Sequence, residues 1–121
     1  MSYPETIEQT ALKLADTTQE ITTLRERMNE IEIVETLDIA AAKNGEGKPL
    51  YSNETTRSAA LALRLVGNED YTELKETLAR AERKRQELTA RLERLRGEFK
   101  LYLVERQAVA VTAAASASAF V

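Results

Sequence analysis

An all-α fold, a long antiparallel helical hairpin (coiled coil) with a short connecting helix, is predicted by three features of this sequence. The first is a seven-residue apolar rhythm over residues 71–109. Tyr71, Leu74, Leu78, Ala81, Arg85, Leu88, Leu92, Leu95, Phe99, Tyr102, Arg106 and Val109 alternate gaps of three and four, the a/d seam of a coiled coil. Such a seam is buried only against another helix, supplied by the same chain or by a second one. The second feature is composition: 31% charged and 5% aromatic residues, four Gly, two Pro and no Cys, His or Trp, the profile of long amphipathic helices rather than sheets. The third is one cluster of helix breakers at residues 43–53, KNGEGKPLYSN, which separates two helical stretches of similar length.

The first helix is expected to open near Pro4, where proline suits the initial turn and Glu5 and Glu8 complement the positive helix end. It extends to Ala42, about 57 Å at 1.5 Å per residue. Its seam places Ile7, Leu14, Ile21 and Met28 at one heptad position and Leu24 and Ile31 at the other, with Thr10 and Thr17 interrupting the first turns. Beyond Ile31 the apolar residues Ile33, Val34, Leu37 and Ile39 crowd around the helix, so this end requires cover on more than one side.

In the connector, GEGKP lacks the GxxxxGK-Ser/Thr spacing of a phosphate-binding loop, and no strand precedes it. Asn53 is instead a helix N-cap, its side-chain oxygen placed to accept an unpaired amide hydrogen, with Leu50 and Tyr51 just ahead as a staple. A short helix follows over residues 54–66, with Ala59, Ala60, Leu63 and Val66 as its inward face. The sequence VGNED then supplies a terminating Gly67, a second capping Asn68, and Glu69 and Asp70 for the next first turn. The third helix runs from Glu69 to about Val109, matching the first in length, as an antiparallel hairpin requires. Residues 1–107 thus form a hairpin domain and residues 108–121, AVAVTAAASASAFV, a small-residue tail. The tail is too short and too rich in Ser and Ala to span a membrane. It reads either as helix that frays or as a docking peptide anchored by Phe120.

The net charge of −3 divides unevenly. Residues 1–70 carry seven Lys and Arg against thirteen Asp and Glu, whereas residues 71–121 carry ten against seven. Lys75, Arg80, Arg83, Lys84, Arg91 and Arg94, with Arg85, Arg96 and Lys100 nearby, are the candidate nucleic-acid contacts. Interleaved Glu82, Glu87, Glu93 and Glu98 favour mutual pairing along the helix instead, so nucleic-acid binding is expected to be weak. Absence of His removes the side chain that titrates near neutrality, and absence of Cys removes thiol chemistry. Glu30, Glu32, Glu35 and Asp38 are the acids best spaced for a magnesium ion, yet such spacings are commonplace on solvated helix faces. The chain therefore reads as non-catalytic, with no catalytic, cofactor or metal residue assigned. Lack of cysteine and of a basic-then-apolar leader agree with a cytoplasmic location.

Around Phe99, Leu101, Tyr102, Leu103 and Val104 the third helix is apolar on almost every face. A two-helix hairpin covers one stripe, which leaves Leu101, Leu103 and Val104, with Leu12 and Ile33 opposite, facing water. These residues are the candidate interaction site, and self-association into a dimer with a four-helix bundle is the expected solution, alongside an unidentified protein partner. Arg85 and Arg106 at seam positions either fix register and partner choice or snorkel out of a loose seam.

The stretch Gly47, Lys48, Pro49, Leu50, Tyr51, Ser52, Asn53, Glu54, Arg57, Ala59, Ala60 and Leu61, followed by a restart over residues 68–74, resembles small helical-hairpin proteins of bacteriophages and mobile elements. In that group a Tyr-containing loop leads through Asn-Glu into a short Arg- and Ala-containing helix, after which a long heptad helix returns. This chain lacks the proline expected at the Asn68 restart. The resemblance covers most of the chain outside the tail; such proteins sometimes lie beside DNA recombination genes, so it implies an accessory role in DNA metabolism without identifying an activity.

Overall fold

A computed structural model describes residues 2–119, and all three of its helices are α-helices: α1 (Tyr3–Ala41), α2 (Glu54–Gly67) and α3 (Glu69–Ala119). The all-α fold is as the heptad pattern predicts. The chain forms two compact units, one of Thr17–Lys84 and one comprising the described residues of Met1–Asp16 and Arg85–Val121.

In the unit Thr17–Lys84, the second half of α1 and the start of α3 run antiparallel. Ile21, Leu24 and Ala81 are buried, and Leu74 and Leu78 pack against them, so the a/d positions of both helices meet as their spacing requires. Thr17 is buried within the seam rather than breaking it. Ion pairing ties the helices at their edge: Arg25 Nη2 donates to Glu82 Oε1 at 2.8 Å. Glu82 is thereby paired across helices instead of with its α3 neighbours.

The connector is closed by its own backbone. Asn44 N–H donates to the Lys48 carbonyl at 2.8 Å, Gly47 N–H to the Asn44 carbonyl at 3.0 Å, and Leu50 N–H to the Ala42 carbonyl at 2.9 Å. The Asn44 side chain accepts from the amides of Glu46 and Lys48, an Asx-type turn, and Gly47 takes the left-handed conformation (φ 77°) that closes it. Of the two residues expected as a staple, Leu50 is exposed and Tyr51 is half-buried.

Asn53 caps α2 as expected: its Oδ1 accepts from Thr56 N–H at 2.8 Å, and the Thr56 hydroxyl accepts from Asn53 N–H at 3.4 Å. The inward face of α2 is different from the expected one. Leu63 and Val66 are 75% and 80% exposed and Ala59 is exposed, while Ala60, Leu61, Arg64 and Leu65 turn inward. Both stripes are apolar at helical spacing and lie about one residue, or 100°, apart; the inward one carries Arg64, whose guanidinium finds carboxylates on α1. At the next joint Asn68 Oδ1 accepts from Tyr71 N–H at 3.0 Å, capping α3.

In the other unit, the start of α1 again runs antiparallel to α3. Ser2 accepts from Glu5 N–H at 3.3 Å and opens α1 one residue before Pro4. Thr10 is buried, its hydroxyl donating to the Thr6 carbonyl at 2.8 Å, which lets a polar residue occupy a seam position. Leu92 is buried, and Leu88, Leu95 and Phe99 are half-buried along the predicted seam. The seam thins there: Tyr102 is 40% exposed although its ring still reaches α1, and Arg106 and Val109 are exposed. α3 does not stop near Val109 but continues to Ala119, because the alanines of 113–119 have the highest helix propensity of any residue. Phe120, the expected docking anchor, lies outside the described residues.

Candidate interaction surface

The five candidate interaction residues divide into two groups. Phe99 and Tyr102 pack against Tyr3 at the start of α1, with ring centroids 5.8 and 5.7 Å from it, and they stack on each other at 6.5 Å. The Arg106 guanidinium lies 5.8 Å from the Tyr102 ring centroid, so its seam position is used for a cation–π contact at the surface rather than for burial. Tyr3 went unnoticed in the sequence because it precedes the first seam residue. Leu101, Leu103 and Val104 are 59%, 50% and 54% exposed, as expected for a stripe that one partner helix cannot reach. Leu12 is exposed as well.

In the unit Thr17–Lys84, the acids of α1 have structural partners. Tyr71 O–H donates to Glu32 Oε1 at 2.6 Å, and Arg64 Nη1 lies 3.3 Å from Glu35 Oε2 and 3.9 Å from Asp38 Oδ2. The hydrogen bond to Glu32 holds the Tyr71 phenol above the usual tyrosine pKa, aided by burial and by the carboxylate charge. These contacts, absent from any periodicity, tie α2 and α3 to α1. Among the described residues no group of three or more His, Cys, Asp or Glu side chains is placed to hold a metal ion. Ile39 is buried where α2 lies on α1, whereas Ile33, Val34 and Leu37 remain exposed. Open grooves between α1 and α2 are lined by Thr36, Ile39 and Leu61 and by Ile33, Leu37 and Leu65.

The candidate nucleic-acid residues are all exposed: Lys75, Arg80, Arg83 and Lys84 in one unit, Arg91 and Arg94 in the other. Arg80 donates to the Thr77 hydroxyl at 3.2 Å. No helix among the described residues is long and apolar enough to cross a membrane. The chain matches no protein-family model, no curated protein and no solved structure.

Proposed function

We propose that this protein is a non-catalytic coiled-coil scaffold or adaptor, working in the cytoplasm through helix-mediated self-association and partner binding. The observation that carries this reading is the apolar surface of α3 at Leu101, Leu103 and Val104, exposed although Tyr3 already occupies the neighbouring seam. A second hairpin brought against this surface removes several large side chains from water at about 1.5 to 3 kcal/mol each, against which the cost of association is set. Light scattering at micromolar concentration tests the reading. A dimer that dissociates on replacing Leu103 and Val104 with Glu, with helicity retained, is expected; a monomeric parent overturns it.

A second reading, an accessory protein in DNA recombination in line with the phage-like resemblance, is favoured by the exposure of the six named cations, none of which is in an ion pair among the described residues. Such binding would be weak and electrostatic, because the two tyrosines of α3, Tyr71 and Tyr102, are engaged elsewhere. Titration with single-stranded DNA at two salt concentrations distinguishes the two readings: binding at low salt that falls as salt rises supports the second, and no binding at low salt overturns it.

A further inference from the structure

A coiled-coil seam occupies one face of a helix, and on α3 the contacts to Tyr3 identify that face as the one bearing Phe99 and Tyr102. Two residues further along each step of that seam, α3 carries another series: Gly97, Leu101, Val104, Ala108, Val111 and Ala115. Its gaps are four, three, four, three and four, a heptad repeat of its own. An advance of two residues is about 200° around a helix, so the series lies on the side of α3 turned away from Tyr3. Every member is exposed and none is charged, and the preceding heptad position, Arg94, bounds the stripe.

We propose that this stripe pairs, parallel and in register, with the same stripe of a second copy of this chain; the inference rests on the self-association proposed above and names its surface and orientation. A repeat of 3.5 residues keeps an apolar line in contact only with a helix that supercoils with the same period, and a second copy supplies one by identity. Charge decides the orientation. Lys100 immediately precedes Leu101, and Glu105 immediately follows Val104. In a parallel in-register pair, the residue flanking one seam position faces the residue five places on in its partner, so Lys100 of each copy meets Glu105 of the other, twice by symmetry. Both are exposed and neither is in an ion pair among the described residues. An antiparallel pair centred on Val104 and Ala108 would instead bring Glu105 beside its own copy, a like-charge contact. Small residues at Gly97, Ala108 and Ala115 alternate with the larger Leu101, Val104 and Val111, which lets the two helices approach closely between the larger contacts.

The absence of cysteine makes the test direct. In the full-length chain, Ala115→Cys should form a covalent dimer under mild oxidation, because residue 115 meets its own copy only in the parallel arrangement. Lys100→Glu should weaken dimerisation roughly tenfold by turning two attractive pairs repulsive, and adding Glu105→Lys should restore it. Circular dichroism on each variant checks that helicity is kept. A parent that is monomeric by light scattering overturns both self-association and the stripe. A stable dimer that resists crosslinking at residue 115, or whose affinity ignores the charge reversal, leaves self-association standing and overturns the parallel stripe.

Discussion

Replacing Tyr71 with Phe removes one hydroxyl and tests how α3 is held to α1. The phenol donates to the Glu32 carboxylate at 2.6 Å, a hydrogen bond to a charged acceptor, and such bonds contribute about 1.5 to 3 kcal/mol when removed from water. Both side chains are only half-buried, so water recovers part of the carboxylate's hydration in the variant, and a loss of about 1 to 2 kcal/mol follows. Denaturant melts at neutral pH should show it as a lower midpoint with unchanged slope. The pH dependence gives a second reading of the same contact. Because the folded state raises the phenol's pKa above its usual value, the stabilisation is fully present below the unfolded value near 10 and is lost as pH rises through the higher folded one. The gap between parent and Tyr71→Phe should therefore be constant from pH 7 to about 9 and close in strongly alkaline solution. Coincident midpoints at neutral pH, or a gap that persists undiminished into the alkaline range, would refute the contact as a stabilising link.

Asn53→Ala should cost about 0.5 to 2 kcal/mol, because Thr56 N–H loses its acceptor at the start of α2; thermal melts decide it, and an unchanged midpoint removes the cap from the account. Ile21 is 1% exposed at the centre of the buried cluster, so Ile21→Ala should cost about 2 to 4 kcal/mol in chemical denaturation, and a loss below about 1 kcal/mol would mean the cluster is not the core. Gly97 sits inside α3 with an unstrained backbone and open space where a Cβ would stand, so Gly97→Ala should raise stability by about 0.5 to 1 kcal/mol in the same assay, and a destabilised variant would show that the position is sterically occupied.

Period and end chemistry were readable because each is local. The residues 71–99 that repeat by heptads are those found buried or half-buried, and Asn53 and Asn68 cap helices where their side chains can reach the third amide onward. The inward face of α2 was not readable: two neighbouring apolar stripes fit a short helix equally well, and the choice depends on Glu35 and Asp38 waiting for Arg64 on another element. Tyr71 with Glu32, and Tyr3 with Phe99, likewise depend on the register between helices, which no single-helix pattern contains. The threonines misled in the opposite direction. A threonine in a seam reads as a defect until its hydroxyl is seen bonded to the carbonyl one turn back, as at Thr10. In the candidate interaction site, the apolar character of residues 99–104 was evident, but its division between an aromatic cluster and an open surface required the position of Tyr3.

The cross-helix contacts form a ladder in sequence distance. Arg64 and Glu35 are 29 residues apart, Tyr71 and Glu32 39, Arg25 and Glu82 57, and the Tyr3 ring meets Phe99 across most of the chain. Closing a loop costs entropy that grows with its length, by about 0.6 kcal/mol per doubling, and each rung made first shortens the span left for the next. Within the unit Thr17–Lys84 the contacts are thus ordered to close from the connector outward. In the native state the same order reverses as fraying. Amide hydrogen exchange should find the slowest protons around the buried Ile21, Leu24 and Ala81 and the fastest over residues 103–117 of α3, whose exposed side chains leave them the protection of a nearly solitary helix.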